Sequence, residues 1–366
     1  MGKARRRGLR LVAGGAIGVA LVALALRFGP ALVLSLGLAL PVTEAWFSPI
    51  LPDVVREEVV IVSGARQIPA DLYRPPNPRA ALVIVHGLSR AGRRHPEIVR
   101  LARLVGQHGQ LVLVPELDGL VQFALSGTEV EDLAAALRHL RAWGYPVGIA
   151  GFSFGAGPAL LAAAEVPDIR VVGSFGGYAD LVNVIAYITT GTHGFAGQRY
   201  TQQQEEYNRW KLLALLAGVL ERGPDRGTLA AIAERRLANP ANDTRELEVR
   251  LGPSGHAVLR LTLNRDERAV GALVAALSPA TRRMLERMSP LASVPRLRGR
   301  LLIAHGTGDD SIPFTESLRL AEAADGRARL AILHGFHHTG PQPIWRSLHE
   351  HVGDGWNLVR LADGLL

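Results

Sequence analysis

Three side-chain types that together can break an acyl bond recur at matched places in this sequence. Ser153 sits in Gly151-Phe152-Ser153-Phe154-Gly155, the G-x-S-x-G spacing that sets a serine on a sharp strand-to-helix turn. The apolar run "VGIA" precedes it and "AGPALLAAA" follows it, which supplies the strand and the helix that the turn requires. Glycines two residues either side let neighbouring backbone approach, and the helix N-terminus offers N–H groups to a developing oxyanion. A tight turn buried in a core is the structural alternative for this serine.

A serine hydroxyl is a weak nucleophile and needs a base, itself oriented by an acid. The segment "LLIAHGTGDDSIPF" (301–314) puts Asp309 just past a strand end, where serine, acid and histidine follow in chain order. A helix cap is the alternative role there, and Asp310 or Ser311 would fill it better. In "LAILHGFHHTG" (330–340), His337 and His338 follow the next strand. His338, three residues after Gly335, is assigned as base, with His337 as the alternative. An oxyanion hole needs the N–H after the nucleophile, that of Phe154, and a second from the loop in "VIVHGLSRAG". Leu88 is the natural donor there and Ser89 the next. His86 precedes the nucleophile's strand and reads as a loop-shaping residue. Asp180, after "SFGGY", is a substitute acid ranked below Asp309.

The elements that must position these residues alternate. "EEVVIVSG" (57–64) and "IPADLYRP" (68–75) read as paired strands. "AALVIVHG", "QLVLVPEL", "VGIAGFS", "IRVVGSFGG", "GRLLIAHG" and "ARLAILHG" read as buried strands separated by helices of about a dozen residues. That pattern predicts an α/β fold with a mainly parallel sheet covered on both faces, whose sites lie at the strands' carboxyl ends. Residues 178–290 break the alternation and read as an inserted, mostly helical cap. The chain accordingly divides into a basic tail and anchor (1–52), a first core part (53–177), the cap (178–290) and a second core part (291–366).

Composition narrows the function. With 366 residues, 48% of them hydrophobic, the chain can bury a large core. It has no cysteine, so thiol nucleophiles, disulfides and thiolate metal sites are excluded. The net charge of +8 is carried by dispersed arginines, with Lys3 and Lys211 as the only lysines. No basic run interleaves with aromatics, so nucleic-acid binding is not indicated. The N-terminus reads "MGKARRRGLR", then Leu11 to Leu26 run without a charge, and "FGPALVLSLGLAL" continues to Leu40. This is long for a cleaved signal and near the lower limit for a spanning helix. The basic flank predicts a single-pass signal anchor, N-terminus cytoplasmic and body outside, with a cleaved, secreted form as the alternative.

Together "VIVHGLS", "GIAGFSFGAG", "LLIAHGTGDDSIP" and "LHGFHHTG" resemble the α/β-hydrolase superfamily, in particular its dienelactone-hydrolase and prolyl-oligopeptidase-like members. The resemblance covers about residues 57–177 and 291–360. It implies Ser153 as nucleophile, Asp309 as acid, His338 as base, Leu88 and Phe154 as oxyanion donors, and no cofactor or metal. The second histidine of "GFHH" departs from members that carry a small residue before the base. The expectation is a membrane-anchored serine hydrolase acting on a small-molecule ester. An acyltransferase, a peptidase and a non-catalytic membrane-tethered binding protein of the same fold are the alternatives.

Overall fold

The computed structural model describes residues 27–337, 340–341 and 348–366. The chain forms a nine-stranded sheet in the order β1-β2-β4-β3-β5-β6-β9-β10-β11. Its strands are β1 (Val55–Ser63), β2 (Arg66–Arg74), β3 (Ala80–Val85), β4 (Gln110–Pro115), β5 (Val147–Phe152), β6 (Ile169–Phe175), β9 (Arg300–Gly308), β10 (Ala328–His337) and β11 (Gly340–Pro341). A separate hairpin pairs β7 (Thr192–Phe195) with β8 (Gln198–Thr201). β1 and β2 form the antiparallel pair expected from "EEVVIVSG" and "IPADLYRP", joined through Gly64 at φ +59°. From β4 to β10 every pairing is parallel.

Every residue of β3 and β4 is buried, as continuous β-branched and leucine runs demand of strands covered on both faces. One face packs against α3 (Thr128–Arg141) and α4 (Ala156–Glu165), the other against α2 (Pro96–Gln107) and α11 (Leu348–Leu365). Leu113, Ile149 and Ile303 belong to the first core, and Leu82, Ala150 and Leu302 to the second. Alternate residues of one strand thus serve opposite faces.

Residues 1–26 lie outside the described residues, and with them the Leu11–Leu26 run. Among the described residues no helix is long and apolar enough to cross a membrane. The second apolar stretch is helical over residues 27–39 (α1) and lies on the α2/α11 side of the sheet. Ala31, Leu34 and Ser35 are buried and Leu38 packs beside them, an i, i+3, i+4, i+7 stripe. Arg100 of α2 donates to the Gly37 carbonyl and pairs with Glu44, while Arg27 pairs with Asp363 of α11.

Between β6 and β9 the chain leaves the sheet as α5 (Leu181–Thr190), the β7–β8 hairpin, α6 (Glu206–Val219), α7 (Pro224–Ala238), α8 (Pro253–Leu263) and α9 (Pro279–Arg287). Leu213, Leu216, Ile232 and Val258 of these helices join the α3/α4 core. Buried Arg209 of α6 ties the insertion together, donating to the carbonyls of Thr189, Thr262 and Asn264. Helix α10 (Thr315–Ala323) separates β9 from β10.

Candidate active site

Ser153 follows the last residue of β5 and has φ +52°. That left-handed conformation costs a non-glycine residue about 1–3 kcal/mol and persists only where the surroundings enforce it. The surroundings are visible in the glycines. A Cβ on Gly151 would stand 2.5 Å from Ala156 Cα, and one on Gly155 only 2.2 Å from the His86 carbonyl oxygen. A Cβ on Gly87 would stand 2.9 Å from Ser153 Cβ. The turn therefore fits tightly against the β3 loop. Its two phenylalanines divide the work. Phe152 pairs with Phe175 across β5 and β6, ring centroids 5.1 Å apart, and both line the cavity above Ser153. Phe154 turns inward, 4% exposed, onto Tyr178.

His86 anchors the loop opposite. Its Nδ1–H donates to the Gly87 carbonyl at 2.8 Å and its Nε2 accepts from Leu117 N–H at 3.3 Å. Both ring nitrogens are committed, and burial holds its pKa below the usual histidine range. The imidazole is thus a neutral loop brace, in keeping with the loop-shaping role expected of it. Ser89 N–H donates to the Leu120 carbonyl at 3.3 Å, so it is not directed to a substrate. Leu88 lines the cavity beside Ser153.

Asp309 follows β9 in a buried loop, 3% exposed. Its Oδ1 accepts from the N–H groups of Ser311 and Ile312, each at 2.9 Å. Its Oδ2 lies 3.4 Å from His305 Nε2. A carbonyl can only accept, so the 2.9 Å contact from His305 Nε2 to Ile312 O gives that nitrogen the proton. Nδ1 then accepts from Ser317 Oγ at 2.7 Å. His305 fixes the acid loop against α10. Asp309 and Ser153 line one cavity.

The register of β10 on β9 pairs His337 with Gly308, after an irregularity between Leu333 and His337. The backbone of His337 thus lies beside Gly308, the residue before Asp309. His338 lies outside the described residues. Asp180 caps α5, its carboxylate accepting from Val182 N–H at 2.7 Å. Its own backbone N–H and that of Ala179 are held by buried Glu316.

The insertion's grip on the Asp309 loop follows no motif in the sequence. Tyr187 of α5 donates to the Asp309 carbonyl at 2.6 Å. Asn208 of α6 donates to the Asp310 carbonyl at 3.1 Å and accepts from Ser311 Oγ at 3.2 Å. Gln202 donates to the Gly308 carbonyl at 3.3 Å. Lys211 completes the set, 3.4 Å from Ser311 Oγ and 5.1 Å from the Tyr207 ring centroid. Burial lowers the Lys211 pKa against the raising effect of Asp310 and Asp309. A lone lysine in the insertion was the available signal, though spacing alone gave it no partner.

No family model and no curated protein matches the sequence. Solved structures do resemble it. Pyrococcus horikoshii acylaminoacyl peptidase superposes with a TM-score of 0.50 at 12% identity, over 87% of this chain and 42% of its own. A Mycobacterium tuberculosis puromycin-hydrolyzing peptidase gives 0.47 at 17% identity, over 85% and 38%. The esterase domain of a Rhodothermus marinus protein gives 0.46 at 18% identity, over 84% and 99%. The chain spans less than half the length of the two peptidases. Its mostly parallel central sheet flanked by helices is an α/β-hydrolase-like fold.

Proposed function

We propose that this protein is a serine hydrolase that cleaves carboxylic esters through an acyl-enzyme. The observation that carries the reading is Ser153, held at φ +52° on a glycine-lined turn and facing the same cavity as buried Asp309. Ser153 Oγ attacks the ester carbonyl carbon while its proton passes to the histidine base, assigned to His338 with His337 as the alternative. Asp309 orients that imidazole and stabilises it when charged. The oxyanion is received by the N–H groups of Phe154 and Leu88. Collapse expels the alcohol, which takes the proton from the imidazolium, and water activated by the same histidine then releases the acid.

The apolar segment Leu11–Leu26 is assigned as a single-pass anchor. Its basic flank faces the cytoplasm and the hydrolase domain lies outside. A reporter fused after Leu366 that functions only outside the cytoplasm should be active, and silence would refute the orientation.

The chemistry is tested with a short-chain aryl ester. Ser153→Ala should lower kcat by roughly 10³-fold or more at unchanged fold, and His338→Ala should match it. Ser153→Ala turnover equal to wild type would refute the nucleophile, and a much larger loss in His337→Ala than in His338→Ala would move the base.

A further inference from the structure

The cavity at Ser153 does not end at the reacting centre. It encloses about 870 Å³, toward the upper end of the roughly 300–1,000 Å³ usual for ligand pockets. It runs from Ser153 under the sheet's α2/α11 face. Ile98 and Leu101 of α2 form one side, and Leu361 and Ala362 of α11 the other. Leu34 and Leu38 of α1 close the outer wall. Ile84 and Ala150 floor it from β3 and β5. Of the charged groups at its edge, Arg100 is neutralised by Glu44 and Glu97, and Arg90 lies over the Phe123 ring.

We propose that this cavity is an acyl-chain channel, and that the substrates are esters of medium- to long-chain fatty acids. Two observations support it. The channel is continuous with the nucleophile, and aliphatic side chains of β3, β5, α1, α2 and α11 make up most of its wall on the α2/α11 face. The acyl carbonyl sits at Ser153 and the chain extends toward α1, leaving the alcohol portion on the side of the insertion and Lys211. Helix α1 is then a substrate-binding element as well as the connection to the apolar N-terminal run. The inference rests on the ester-hydrolase reading above.

The test uses the full chain and p-nitrophenyl esters from acetate to dodecanoate. Each buried methylene contributes about 0.8 kcal/mol, a factor of about four, so kcat/KM should climb from butyrate by up to that factor per added carbon until the channel fills. Ala362→Phe should lower the decanoate-to-acetate ratio of kcat/KM at least tenfold by filling the channel between α11 and α1. Leu38→Ala, which removes bulk and keeps the helix, should flatten the climb. A profile that peaks at acetate or butyrate would overturn the channel, as would a ratio unmoved by both variants. If Ala362→Phe fails to fold, the wild-type profile and Leu38→Ala decide the matter. Acetate turnover that persists in Ser153→Ala would instead defeat the hydrolase reading itself, so the two failures are separable.

Discussion

Alanine at Gly155 should disable the site while a neighbouring glycine substitution only weakens the fold. A Cβ at position 155 would stand 2.2 Å from the carbonyl oxygen of His86 and 3.0 Å from its carbon. Both groups are backbone, so no side-chain rotation relieves the overlap. The turn and the β3 loop must part by roughly 1 Å, because packed interiors do not compress. His86 belongs to the loop that carries Gly87 and Leu88, so the displacement separates Ser153 from the assigned oxyanion donor. A misplacement of that size costs about 10²-fold in rate, and overpacking costs about 1–3 kcal/mol in stability. Gly157→Ala is the control, because its Cβ would meet the Tyr178 ring and hydroxyl, 2.1 Å from Oη. That strain falls beneath the turn rather than between nucleophile and loop. Urea unfolding should show both variants destabilised, with kcat of the folded protein falling about 10²-fold in Gly155→Ala and far less in Gly157→Ala. A Gly155→Ala enzyme within threefold of wild-type kcat would refute the assigned geometry.

Asp309→Asn keeps an oxygen for the Ser311 and Ile312 N–H groups, so it should fold while kcat falls by about 10²–10⁴-fold. Turnover near wild type would remove Asp309 from the mechanism. Tyr187→Phe leaves the buried Asp309 carbonyl without its 2.6 Å donor, which should cost about 1–3 kcal/mol in urea unfolding and lower kcat more than it raises KM. His305→Phe should destabilise by a similar amount by stranding Ser317 Oγ and the Ile312 carbonyl, yet retain measurable turnover, since this histidine is a brace. Burial lowers the pKa of His86, His108 and His193, the last to about 4. The unfolded chain binds protons first on these groups, so their contribution is complete above about pH 6.5 and declines as pH falls below it. Half-buried His193 alone should remove about 1 kcal/mol between pH 7.5 and 5.5, and urea stability that is flat or higher at pH 5.5 would contradict this.

The alternation of apolar strands and helices was enough to read the sheet, because strands buried on both faces must be continuous and β-branched. The sharp turn at Ser153 and the place of Asp309 just past the end of β9 were legible for the same reason, since residues at strand ends are set by the strands themselves. Elements set by tertiary contact were not legible. The β7–β8 hairpin turns through Ala196 and Gly197, both at positive φ, and alanine gives no turn signal of the asparagine-glycine kind. Residues 27–39 read as membrane-like because leucine and alanine fill them, and their buried stripe is recognised only beside α2 and α11. Tyr187, Asn208 and Lys211 lie some 100 residues or more from Asp309 in sequence, so only folding brings them to its loop.

The reactivity of one hydroxyl decides whether the turn after β5 carries a nucleophile. The full-length protein treated with a fluorophosphonate, digested and mapped by mass spectrometry should carry one stoichiometric adduct on the peptide containing Ser153, absent from Ser153→Ala and from heat-unfolded protein. Stoichiometric labelling at another residue, or labelling that survives Ser153→Ala, would contradict the claim that the turn after β5 carries the nucleophile.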